Sequence, residues 1–117
     1  MKSSRRSLFS LVLLVLVVSA GVQWWHGARE ARLGETLAAR VGPGDIHLLT
    51  SDTCDICTFA RHWLRQHRVP FTECSIERDA QCARDYQATR SPGTPVVLVR
   101  GKPQVGFDPE RLLAALG

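Results

Sequence analysis

Two cysteines three positions apart, Cys54 and Cys57, follow an apolar run at residues 46–49 and open a stretch of helical periodicity. The local sequence is Ser51-Asp52-Thr53-Cys54-Asp55-Ile56-Cys57-Thr58. A strand that turns into a helix through Cys-x-x-Cys admits few folds, because the pair is either a redox dithiol or half of a zinc site. Zinc would need a second such pair. Cys74 and Cys82 are spaced too widely to form one, and His62 and His67 do not align on one helical face. Covalent haem attachment needs His directly after the second Cys, where Thr58 stands. No metal site is therefore assigned.

The chain has 117 residues, enough for one domain, and its 44% hydrophobic content is raised by a block near the N-terminus. What remains can enclose only a small core. The net charge of +4 includes Lys2, Arg5 and Arg6, which precede the apolar block; the other basic residues alternate with acids as on a solvated surface. That distribution gives no basic patch, and nucleic acid is not an expected partner.

Residues 8–22 read LFSLVLLVLVVSAGV, with no charge and a positive segment ahead of them. Such a block is either a cleaved signal peptide, for which Val18-Ser19-Ala20 supplies a small-residue cleavage pattern, or an uncleaved anchor. Extended to Trp25 it approaches the length that spans a bilayer, and Trp24-Trp25 fall where an interfacial aromatic belt would lie. The anchor reading is favoured: residues 1–25 as a single transmembrane segment in contact with lipid, secretion after cleavage being the alternative. The basic N-terminal tail favours that end inside, against the weaker pull of Arg29, Arg32 and Arg40 beyond the block, so the C-terminal domain is expected on the exported, periplasmic side, where disulfides persist.

Residues 27–41 show Leu33, Leu37 and Val41 at spacing four among Arg and Glu, the pattern of an amphipathic helix, and Gly42-Pro43-Gly44 ends it. Residues 26–44 are read as a spacer that could pack on the domain, and residues 45–117 as the domain. Within it the expected order is β-α-β-α-β-β-α: a strand at 46–50, a helix at 55–68 with Cys57, Ala60, Trp63 and Leu64 inward, a strand at 71–75, and a helix at 77–88. After the loop at 91–95 come a buried strand at 96–99, a turn at 101–103, a short strand near 104–105, and a helix capped by Asp108 with Pro109 at its first position. Strand, crossover helix and strand imply a parallel pair covered by helices.

A helix N-terminus favours an anion. Cys54 lies there, so its thiolate is favoured and it is the expected nucleophile; Cys57, one turn later, is the expected resolving thiol. Asp55 between them adds a like charge and should raise the Cys54 pKa, giving a more reducing pair. Thr94-Pro95 precedes a buried strand. Pro95 is either a plain strand-start residue or a cis-proline whose loop offers backbone groups to an extended substrate.

Taken together, Cys54-Asp55-Ile56-Cys57 after a strand, Gly93-Thr94-Pro95-Val96-Val97, and Gly106-Phe107-Asp108-Pro109-Glu110-Arg111 make residues 45–117 resemble the glutaredoxin family of the thioredoxin fold. The last motif is most similar to the thioredoxin-like glutaredoxins. The resemblance implies an α/β domain with a four-stranded mixed sheet and three helices. It also implies a thiol–disulfide oxidoreductase of redox homeostasis acting on protein or mixed disulfides, with Thr94, Pro95 and Asp108 lining the substrate groove. The sequence departs from the family's usual Cys-Pro-Tyr-Cys. It also lacks the Lys often found before the first Cys, where Ser51, Asp52 and Thr53 stand. No cofactor is expected to stay bound; glutathione is a candidate reductant beside a thioredoxin-type or membrane reductase. Cys74 and Cys82 are either two small buried hydrophobes or a structural disulfide. Two other functions use the same residues: a zinc- or copper-handling thiol domain, and a membrane-anchored interaction module without turnover.

Overall fold

The computed structural model describes residues 2–117, with the element order α1 (Lys2–Arg40), β1 (Ile46–Thr50), α2 (Asp55–Gln66), β2 (Thr72–Ser75), α3 (Ala80–Thr89), β3 (Val96–Val99), β4 (Lys102–Val105) and α4 (Pro109–Leu116). The chain divides into two compact units, one ending at Arg32 and the other running Leu33–Gly117. The first is α-helical throughout its described residues and exposes Leu8, Phe9 and every residue from Leu11 to Val18. Among the described residues one helix, α1, is long and apolar enough to cross a membrane, a test that an N-terminal signal sequence also passes.

The second unit holds a four-stranded mixed sheet in the order β2-β1-β3-β4. Strand β1 pairs parallel with β2 (Leu49 opposite Cys74) and antiparallel with β3 (Leu49 opposite Val96), and β3 pairs antiparallel with β4. Side chains alternate across a strand, and the core follows that alternation. Ile46, Leu48, Val97 and Val99 join Ala60, Trp63 and Leu64 of α2 and Leu112 and Leu116 of α4 in one apolar cluster. Leu49 and Val96 join Cys82 of α3 in the other, with Cys74, Ile76, Tyr86 and Leu98 at its margin.

The expected strand and helix order is the observed one, with four differences larger than one residue at an element's end. First, no separate spacer helix exists: α1 continues through Gly27 to Arg40, and its last turns belong to the domain unit, with Leu37 and Val41 buried in the main cluster. A boundary at residue 45 therefore leaves out part of the core. Gly34 is buried in the same stretch, where a Cβ would overlap the His67 ring. Gly42 and Asp45 then bond each other, N–H to Oδ2 at 2.8 Å and N–H to C=O at 3.2 Å, and bring the chain into β1. Second, α2 stops at Gln66 because Arg68 takes a left-handed φ of 56° and a Schellman pair forms, Val69 N–H to Leu64 C=O at 2.9 Å and Arg68 N–H to Arg65 C=O at 3.1 Å.

Third, α3 begins at Ala80 rather than at 77, because the Asp79 carboxylate accepts from the Gln81 and Cys82 N–H groups and so caps the helix. Residues 77 and 78 serve the preceding loop instead. Fourth, β4 starts at Lys102. The turn is the two residues Arg100 and Gly101, both at positive φ (51° and 84°), which is the hairpin geometry that suits twisted strands. Pro103 is tolerated in β4 because that strand is at the sheet edge. Helix α4 is capped as expected, Asp108 accepting from Glu110 N–H at 3.0 Å with Pro109 first.

Candidate active site

Cys54 is the N-cap of α2, with extended backbone (φ −102°, ψ 109°), and its Sγ accepts the Cys57 N–H at 3.0 Å. Cys54 is half-buried and Cys57 is fully buried. The two are joined by a disulfide across a Cα–Cα distance of 5.2 Å. An incoming thiolate therefore meets Cys54 first. In the reduced state the same N–H and the helix N-terminus favour charge on that sulfur. Asp55 occupies the first helical position and is exposed.

The turn before Cys54 is polar. Ser51 Oγ donates to Glu77 Oε1, Asp52 N–H donates to Glu77 Oε2 at 3.2 Å, and Arg78 Nε pairs with Asp52 Oδ2 at 3.0 Å. Ser75 Oγ lies 3.0 Å from both Asp52 Oδ1 and Glu77 Oε2. The Ser51 hydroxyl, ahead of the Asp52 and Ser75 donors, holds the Glu77 carboxyl below its ordinary pKa, against a smaller opposing push from desolvation.

The Thr94–Pro95 peptide bond is cis, and Pro95 is buried. The pairing of Val96 with Leu49 puts this loop at the sheet end where β1 runs into the Cys54 turn. Pro95 C=O is taken by Gly106 N–H at 2.9 Å. Asp108, expected in the substrate groove, caps α4 with one carboxylate oxygen. Cys74 and Cys82 are joined by a second disulfide with a Cα–Cα distance of 6.0 Å. Cys74 Sγ lies 3.4 Å from His47 Nε2, whose other ring nitrogen is 2.6 Å from Thr72 Oγ1.

Two features of the site were not anticipated. One is the hold of Glu77 on Ser51 and Asp52, which joins residues far apart in sequence and leaves no local pattern. The other is an apolar surface on α2 beside the pair: Ile56 is 56% exposed and Phe59 57%, and Phe59 meets Phe107 edge-on at 6.2 Å. Phe107 also packs edge-on against the buried Trp63, at 5.8 Å. The signal for this surface was present, since Ile56 and Phe59 are apolar residues off the inward stripe of α2. Among the described residues no group of three or more His, Cys, Asp and Glu could hold a metal ion.

A strand-to-helix dithiol, a cis-proline loop before the central antiparallel strand, and a β2-β1-β3-β4 mixed sheet define a thioredoxin-fold protein. The sequence matches the glutaredoxin family over residues 46–104, half of its length, and the chain belongs to that family. Among solved structures it is similar to the thioredoxin-like protein BC3987, in a mutant form, with 26% identity and a TM-score of 0.55 over 62% of this chain and 95% of that one. No curated protein matches the sequence. Family and dithiol together support thiol–disulfide oxidoreductase chemistry in general.

Proposed function

We propose that this protein is a membrane-anchored dithiol oxidoreductase that reduces or exchanges protein disulfides on the exported side of the membrane. The observation that carries the reading is the Cys54–Cys57 pair at the N-terminus of α2, its half-buried sulfur at the cap and its buried sulfur one turn in. In each turnover the Cys54 thiolate attacks one sulfur of a substrate disulfide. That S–S bond breaks, a Cys54–substrate disulfide forms, and the other substrate sulfur leaves as a thiolate that takes a proton. The deprotonated Cys57 sulfur then attacks Cys54 Sγ, expels the second substrate thiolate and closes the Cys54–Cys57 bond. Two electrons pass to the substrate, and a thiol donor, glutathione or a protein dithiol, restores the pair.

A protein substrate is favoured over a small one by the exposed Ile56 and Phe59 and the half-buried Phe107, which offer apolar contact beside Cys54. The Pro95 carbonyl is already bonded, so an extended segment would meet the loop at Thr94. Membrane anchoring is supported by the exposed apolar length of α1. Export is supported by the Cys74–Cys82 bridge, since such bonds persist in oxidising compartments.

The test is reduction of insulin and of a small glutathione mixed disulfide by the full chain in detergent. Cys54→Ser is expected to abolish both activities. Phe59→Asp is expected to slow insulin reduction about tenfold, the scale of losing one anchoring contact, while leaving the small substrate within about twofold. Undiminished activity in Cys54→Ser would overturn the assignment.

A further inference from the structure

The turn that delivers Cys54 has no apolar anchor of its own. Asp52 and Thr53 are exposed and Ser51 is half-buried. Its placement depends on polar bonds, and from outside the turn the Ser51 hydroxyl and the Asp52 N–H both go to Glu77. Within the turn, Ser51 C=O accepts the Cys54 N–H at 3.3 Å, so a shift of Ser51 is passed directly to the cysteine. The loop carrying Glu77 is itself fixed. Cys74 precedes it and Cys82 follows it, bonded to each other, and Ile76 N–H donates to Thr50 C=O at 2.9 Å. We infer that Glu77 is a positioning residue for the nucleophile: braced by the Cys74–Cys82 bridge, it sets the turn at Ser51–Asp52 so that Cys54 keeps its N-cap geometry and its bond from Cys57 N–H.

This rests on Cys54 being the nucleophile, yet it concerns how that thiol is held, not what it attacks. The lowered pKa of Glu77 agrees with it, because the bonds that tie the turn are made by the carboxylate. A depressed carboxyl is fully ionised above its ordinary range. The tie is therefore strongest at neutral pH and weakens as pH falls through the lowered value.

Glu77 has a second, opposite influence. It is a negative charge, and charge alone would disfavour a nearby thiolate. Two substitutions separate the effects. Glu77→Gln keeps one acceptor oxygen and removes the charge; Glu77→Ala removes both. The rate of alkylation of reduced Cys54 by iodoacetamide against pH, located by peptide mass, reads the thiol whether or not the protein turns over a substrate. Failure of the proposed activity therefore remains distinguishable from failure of this inference. For Glu77→Ala the Cys54 midpoint should rise by about half a pH unit, as a weakened N-cap contact implies, and insulin reduction should fall about fivefold. For Glu77→Gln the midpoint should not rise. Ser51→Ala should reproduce the Glu77→Ala shift in part, and the double variant should shift no further than Glu77→Ala alone, as coupled partners do. An unchanged or lowered Cys54 midpoint in Glu77→Ala with native circular dichroism, or additive shifts in the double variant, would overturn the inference.

Discussion

Cys54–Cys57 and Cys74–Cys82 are the same covalent bond in two settings. The first closes one turn at a helix N-terminus, with one sulfur half-buried, a backbone N–H aimed at it and an apolar surface alongside. The second ties the β2 strand to the third residue of α3. Cys82 there is only 1% exposed, packed with Leu49 and Val96, and the half-buried Cys74 contacts His47. Thiol–disulfide exchange needs access to a sulfur and a leaving thiolate that the surroundings tolerate. Cys54 and Cys57 meet both needs, since attack at the reachable sulfur leaves charge one turn into a helix N-terminus. Attack at Cys74 would leave the charge on Cys82, which is also one turn into a helix but has the Asp79 carboxylate as its cap and an apolar cluster around it, both of which disfavour the charge. On the proposed reading the two bonds divide the labour: one opens and closes, and the other holds the loop that positions the first.

This division can be broken by substitution. The largest contrast is between Cys54→Ser and the pair Cys74→Ser with Cys82→Ser. The first should cost disulfide reduction about a thousandfold or more, while its unfolding stability should stay close to that of the unsubstituted chain with Cys54–Cys57 reduced. The second should lower unfolding stability by about 2 to 3 kcal/mol, the chain-entropy value for so short a loop, while reduction stays within about fivefold. Urea denaturation and insulin turnover on the same samples check both; a full loss of turnover without Cys74 and Cys82 would break the division. A smaller effect is expected at the first pair. Asp55 is exposed at the first helical position, so Asp55→Asn removes a like charge next to Cys54. The Cys54 pKa should then fall by about half a unit and the pair should become slightly more oxidising. A rise in that pKa would contradict the role given to Asp55.

Much of this site is legible in the sequence because it is local. Cys54-Asp55-Ile56-Cys57 follows a strand and opens a helix, and helix geometry alone places one sulfur at the cap. The same holds for Asp108-Pro109, where capping chemistry needs no tertiary context. The continuous α1 was hidden by Gly27 and by the change from apolar to charged composition near it. That change marks where the exposed apolar stretch ends, not where the helix stops. Leu37 is buried in the same cluster as Trp63, Leu64 and residues of the sheet, a placement that periodicity can suggest but not assign. The start of α3 was misplaced because Glu77 and Arg78 are good helix formers drawn into bonds with Ser51 and Asp52, residues some 25 positions away. Pairings at that range leave no periodic trace.

Trapping the reaction midway tests whether Cys54 is the nucleophile. Without its resolving partner, Cys54 should stop at the mixed disulfide. Full-length Cys57→Ser, incubated with an oxidised protein substrate and quenched in acid, is expected to carry one covalently bound substrate per chain, attached at Cys54 and released by dithiothreitol, with the Cys74–Cys82 bridge still closed. Substrate attached at Cys74 or Cys82, or none bound at all, would contradict it.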